Sequence, residues 1–97
     1  MNEITAEQAA QQETCVLVVS VAGRRGSQTF VCQSLSEASQ ALRKVIVEED
    51  LCMSDLKKNC GLVVKSFSDR RVLARVSFNG RIWEEAPRVL TLKEMTQ

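Results

Sequence analysis

Four cysteines, thirteen basic and twelve acidic side chains, and no histidine are what this 97-residue chain offers for chemistry. Without an imidazole the commonest general base at neutral pH is missing. The acidic runs Glu48-Glu49-Asp50 and Glu84-Glu85 are made of sequence neighbours. On a helix or a strand such carboxylates diverge instead of converging on one substrate. Gly23-Arg24-Arg25-Gly26 is a tight turn without the following helix and lysine that a phosphate-binding loop needs. The cysteines lack metal-site spacing, since no two of Cys15, Cys32, Cys52 and Cys60 lie as close as a CxxC to CxxxxC knuckle. Cys15 and Cys32 stand in apolar, strand-like runs and Cys52 stands between Leu51 and Met53. In such places a thiol acts as a small hydrophobe, with a disulfide as the lesser alternative. Cys60, beside Gly61 and downstream of Lys57 and Lys58, is the candidate for a partly exposed, reactive thiol. The chain reads as a non-enzyme with no catalytic residue, no cofactor and no metal.

The basic side chains say more. Arg24-Arg25, Lys57-Lys58 and Arg70-Arg71 are three doublets, each at a predicted loop. Projecting from one end of a sheet they would form a cationic rim able to meet phosphate or an acidic protein surface. Lys65, Arg75 and Arg81 on the strands would let the sheet lie in a DNA groove as β-ribbon readers do. Charge supports this only mildly. With Glu3, Glu7 and Glu13 in the first thirteen residues, the rest of the chain holds 13 basic and 9 acidic side chains, a net of +4. That falls short of a concentrated phosphate-binding stripe. Aromatic residues make up 4% of the chain, which argues against a base-stacking platform for RNA or single strands.

Elements must position these groups. The length suits one domain with one modest core. Residues 1–13, rich in Gln, Ala and Glu, read as a flexible N-terminal arm, and residues 14–97 as a single α+β domain. The arm is acidic and lacks a signal peptide's basic start and apolar middle, and no apolar run is long enough to span a bilayer. The expectation is a cytoplasmic protein without a membrane partner. Cys15 to Val21 is a β-branched run, hence a central or doubly buried strand. After the Gly23–Gly26 turn, residues 27–32 return as a second strand. Ser34-Leu35-Ser36-Glu37 is a capping box. Leu35, Ala38, Leu42, Val45 and Ile46 then recur at helical spacing, which predicts a helix over 35–50. Ser54 caps a short helical turn that ends near Gly61. Leu62–Phe67 is a third strand, and Val72–Phe78 and Arg81–Glu85 are the arms of a hairpin. Pro87 interrupts the chain before a last edge strand at 88–92. The expected fold is an antiparallel β-sheet in ββαβββ order with one main helix packed on one face.

Asn79-Gly80 carries the strongest local signal. Asn-Gly between two β-prone runs predicts a two-residue type I′ turn. In that register Val76 faces Trp83 and Arg75 faces Glu84, the latter a surface ion pair worth about 0.2–1 kcal/mol. Val76 and Trp83 then face the helix, and a core Trp83 would cost ~3–5 kcal/mol on truncation to Ala. The opposite face would show Leu73, Arg75, Ile82 and Glu84. Apolar residues on an open sheet call for a cover, so these four are the candidate partner-binding residues.

Ser34-Leu35-Ser36-Glu37-Ala38 and Ala74-Arg75-Val76-Ser77-Phe78-Asn79-Gly80-Arg81-Ile82-Trp83 resemble a pattern in small bacterial proteins carried by phages, plasmids or integron cassettes. Those proteins have an SLxEA helix start and a terminal ARVSYNGRVW-like hairpin. The resemblance covers residues 28–85, departs in the first strand region and after Pro87, and brings no catalytic or ligand residues with it. It implies a mobile-element accessory protein. Two functions follow as expectations. The first is a non-enzymatic protein-interaction module that binds a host or element protein, with a homodimer through an open sheet edge or face. The alternative is a DNA-binding accessory or regulatory protein using Arg24, Arg25, Lys57, Lys58, Arg70 and Arg71 together with the sheet arginines.

Overall fold

The computed structural model describes residues 2–96 and has the expected ββαβββ core. Strands β1 (Cys15–Val19), β2 (Gln28–Cys32), β3 (Leu62–Val64), β4 (Val72–Val76) and β5 (Ile82–Trp83) form one sheet in the order β2-β1-β3-β4-β5. Every pairing is antiparallel. Two short helices, α1 (Ala6–Ala9) and α3 (Leu92–Thr96), stand before and after the sheet in chain order, the main helix is α2 (Leu35–Glu48), and a 3₁₀ turn spans Met53–Asp55. After the β1–β2 hairpin, α2 carries the chain back across β1 so that β3 adds to its free side. This places the β-branched run of β1 inside the sheet, and all five of its residues are buried.

The strand period of two divides β1 between two cores. Cys15, Leu17 and Val19 meet Ala38, Leu42, Val45 and Ile46 of α2, together with Val63, Ala74, Val76 and Ile82. Val16 and Val18 point the other way, with Leu62, Val64 and Val72. Ser34 starts α2 as expected, its hydroxyl accepting from the Glu37 N–H at 3.1 Å, although the reciprocal half of the box is not made. The 3₁₀ turn is capped by the Asp55 carboxylate, which accepts from the Cys52 N–H at 2.8 Å, and not by Ser54.

The second face already has a cover. Instead of a last strand, the chain after Pro87 makes single bonds along β4 and its entry: Val72 N–H to the Arg88 carbonyl (2.8 Å) and Leu90 N–H to the Arg70 carbonyl (2.9 Å). It then turns into α3, and Leu90 and Met95 are buried against Val16, Val18, Leu62, Val64 and Val72. Glu94 anchors this turn by accepting from the Thr91 N–H (3.0 Å) and from Asn59 (3.2 Å). These bonds, the Thr91 one foremost, hold its carboxyl below the usual range. A depressed carboxylate stabilises the fold above its unfolded value and loses that contribution as pH falls through the folded one. Glu94→Gln is therefore expected to lower neutral-pH stability and to flatten the acid limb as pH falls below the ordinary glutamate range. Urea melts across pH check both.

The segment read as an N-terminal arm follows a definite course. Ile4 N–H donates to the Ile82 carbonyl (2.7 Å) and Glu84 N–H to the Asn2 carbonyl (2.8 Å), so residues 2–4 run along the outer edge of β5. Thr5 and Gln8 form a reciprocal capping box on α1, and Ala9 is buried under α2. Glu13 N–H reaches the Gln33 carbonyl at 2.8 Å.

A groove beside the hairpin tip

The Asn79-Gly80 hairpin forms, but one residue out of the expected register. Val76 pairs with Ile82 and Arg75 with Trp83. Gly80 N–H donates to the Ser77 carbonyl (2.9 Å) and Ser77 N–H to the Arg81 carbonyl (2.8 Å), which leaves a three-residue loop, Phe78-Asn79-Gly80. Only Gly80 has positive φ, at 88°. This is a type I turn closed by a left-handed glycine, the alternative hairpin of three-residue loops. Its tip is held from outside. Ser39 of α2 donates to the Gly80 carbonyl (2.6 Å), and Arg43 donates to the Phe78 carbonyl (2.8 Å) while lying over the Phe78 ring. Within the tip, the Asn79 side chain accepts from the Ser77 hydroxyl and from the Arg81 N–H. An asparagine engaged in this Asx geometry has no need of positive φ.

A one-residue slip reverses every side chain of β5. Ile82, expected on the open face, is buried in the helix-side core, and Trp83 leaves the helix for the Arg75 side. A bulge at Val63/Val64 adds a second change: Leu73 is the extra residue of β4 and packs toward the helix-side core. Arg75 pairs with Glu85 at 2.6 Å rather than with Glu84, whose backbone serves residue 2. Leu73, Arg75, Ile82 and Glu84 therefore share no surface.

The basic doublets divide as well. In an antiparallel sheet the loop before β3 and the loop after it emerge at opposite ends. Arg24-Arg25 and Lys57-Lys58 meet at one end, where the Lys57 ammonium donates to the Arg24 carbonyl at 2.9 Å. Arg70-Arg71 stands at the other end and is engaged structurally. Arg70 donates to the Leu90 carbonyl (2.8 Å), holding the tail, and Arg71 pairs with Asp69 (2.9 Å). The tail contributes a cation that sequence proximity did not suggest: Lys93 lines a hollow of about 330 Å³ with Ser20, Ser27, Lys57, Lys58 and Asn59. At this end Arg24 is neutralised by Glu49. Lys58 and Lys93 have no ion pair among the described residues.

Next to this hollow lies the larger groove, about 500 Å³, between residues 53–60 and the hairpin tip. Met53, Leu56, Phe78 and Trp83 give it apolar walls, and Lys57 and Lys58 stand on its rim. Met53 is 69% exposed. Trp83 is half-buried and its indole N–H reaches the Ser77 hydroxyl at 3.4 Å. Arginines fix the rim from behind: Arg75 donates to the Lys58 carbonyl (3.1 Å) and Arg88 to the Asn59 side chain (2.8 Å). No local pattern marks Phe78 and Met53 as binding residues, since they join one groove only where the hairpin tip packs beside the 53–60 loop. A wall residue costs less than a core residue, so Trp83→Ala is expected to destabilise by about 1–2 kcal/mol instead of ~3–5. Denaturant melts of the variant measure this directly.

The thiols are placed differently from expectation. Cys60 is buried, 5% exposed, and burial pushes its pKa up despite the nearby Ser20 backbone bond and Arg75. Cys15 and Cys32 face each other across β1 and β2. Cys15 is pushed up to about 11, by burial first and then by Cys32, Glu13 and Glu37. Cys32 is raised by burial and by Glu37. Cys52 is the exposed one, its thiol donating to Asp55 at 3.1 Å. One fast-reacting thiol is expected in the native protein with an aromatic disulfide reagent, lost in Cys52→Ser, and four in denaturant. Among the described residues no group of three or more cysteine or acidic side chains is placed to hold a metal, and no helix is long and apolar enough to cross a membrane.

These features define an α+β domain with a two-sided antiparallel sheet and a mixed apolar and cationic groove at one end. No family model, curated protein or solved structure matches the chain.

Proposed function

We propose that this chain is a small non-enzymatic protein-interaction module, a mobile-element accessory protein that binds a host or element protein in the groove beside the hairpin tip. The observation that carries this reading is the juxtaposition of Trp83, Phe78 and Met53 with Lys58, which has no ion pair among the described residues. Aromatic and sulfur-bearing walls under a cationic rim suit an acidic segment carrying a large apolar side chain. Four free thiols suit a reducing compartment, so the cytoplasm is the proposed location. The mobile-element context rests on the resemblance over residues 28–85. Co-purification from the native host tests the reading: a partner is recovered with the wild type and with Lys44→Glu, an exposed reversal on α2, but with neither Trp83→Ala nor Lys58→Glu. Equal recovery with all four removes the groove from the account.

A second reading is favoured by the meeting of Arg25, Lys57, Lys58 and Lys93 at one end of the sheet. It makes the protein a DNA-binding accessory protein that lays this end on duplex phosphates. Binding should then weaken steeply with salt, and Lys58→Glu should reduce the logarithmic salt slope by about 1. Absence of duplex binding at low salt ends this reading.

A further inference from the structure

Among the described residues the chain itself covers both faces of the central strands and one edge of the sheet, and leaves the other edge open. Helix α2 covers one face, Leu90 and Met95 cover the other, and residues 2–4 run along the outer edge of β5. The outer edge of β2 makes no backbone hydrogen bond to another segment among the described residues. Its five residues, Gln28-Thr29-Phe30-Val31-Cys32, contain no charge, proline or glycine, and its pairing to β1 has no bulge. Exposed edges normally carry one of these protections against strand addition. Here Val31 is instead 57% exposed, and Phe30 on the other face is half-buried.

We infer that β2 pairs with β2 of a second copy of this chain, antiparallel and about a two-fold axis at Phe30. The sheets then join into one of ten strands. Charge at the two ends of the strand favours a second copy in this orientation. Arg25, which has no ion pair among the described residues, precedes the strand. Glu13 lies beside Gln33 just past its end, and Glu37 acts on the Cys15 and Cys32 thiols at that same end. Antiparallel pairing sets Arg25 of each copy against the acidic end of the other, whereas parallel pairing would oppose like charges. In this register Gln28 faces Cys32, Thr29 faces Val31, and the two Phe30 rings meet across the axis, where a cross-strand aromatic pair stabilises a ladder. The interface is independent of what the groove beside Trp83 binds.

Sedimentation equilibrium on the full chain tests the inference. The wild type is expected to shift with concentration from the 10.8 kDa monomer to a dimer. Val31→Lys, an exposed change that leaves the circular dichroism spectrum intact, is expected to stay monomeric. Arg25→Glu and Glu13→Lys should each weaken the dimer by ~10-fold, and the double variant should recover most of that loss. Trp83→Ala should leave the dimer unchanged. A wild type that remains a monomer up to about 1 mM overturns the inference. So does a dimer that survives Val31→Lys, whether or not Trp83→Ala dissolves it.

Discussion

Gly61→Ala lowers stability by roughly 3–5 kcal/mol, the sum expected from a left-handed backbone that L side chains resist and from an overpacked contact that cannot relax. Gly61 has φ of 90°, and a Cβ there would stand 2.2 Å from the Val76 carbonyl oxygen. The obstacle is backbone, so no rotamer change relieves it. Nor can the strand move away. Gly61 N–H donates to the Val18 carbonyl at 2.8 Å, and its own carbonyl accepts from Val76 N–H at 2.8 Å, so the residue ties β1 to β4 at the start of β3. Against a typical total of 5–15 kcal/mol the loss is large enough to shift the urea midpoint far downward. Gly80→Ala is the control. It also has positive φ, but its Cβ would meet flexible atoms of Arg43 and Ser39 at 3.4 Å, so a smaller loss is expected. Equal midpoints for the two variants would refute the assignment of Gly61 as a close backbone contact.

Leu90→Ala is expected to cost about 2–5 kcal/mol, as much as the same truncation of Leu42 at the centre of the α2 stripe. The two leucines could hardly look less alike in sequence, one in a helical apolar repeat and the other in a short run after Pro87. Both have no exposed surface. Leu90 fills the second face between Val16, Val18, Leu62, Val64 and Val72 and holds Met95 in place beside it. Shortening it leaves a cavity under a tail otherwise held by single backbone bonds and by polar contacts of Arg70, Arg88 and Glu94, so the tail should loosen with it. Hydrogen exchange at the Val16 and Val18 amides, compared between Leu90→Ala and Leu42→Ala, separates local opening of this face from global loss. A change below about 1 kcal/mol would mean that the tail is not a core element.

Much of the architecture was legible in the order of residue types. The β-branched run at Cys15, the Ser34 cap and the 3.6-residue stripe of Leu35, Ala38, Leu42, Val45 and Ile46 are local statements. Each depends on side chains within a few positions, and each element formed where expected. The single α+β sheet with its main helix followed from them. The hairpin shows where local reading stops. Asn-Gly permits a type I′ turn, but it also permits a type I turn with a glycine bulge. Ser39 and Arg43, some forty residues earlier, bind the tip in the bulged form, and Trp83 and Ile82 exchange faces as a result.

The candidate site was less legible because its members come from remote segments. Lys57 and Lys58 precede β3, Phe78 and Trp83 flank the hairpin tip, and Lys93 lies in the tail. Their neighbourhood depends on strand order and loop ends, which no short-range pattern encodes. The question of a covered second face has the same origin, since Leu90 and Met95 gain their partners only once α2 has returned the chain to the far side of β1. By itself the sequence determined which segments are strands and helix, that Asn79-Gly80 turns the chain, and that no histidine is present for catalysis. Tertiary structure alone decided the register of that turn, the cover on the second face, the separation of Arg70-Arg71 from the other doublets, and the edge left open at β2. Those are matters of long-range packing, where a few kcal/mol contributed by distant residues choose among locally equivalent conformations.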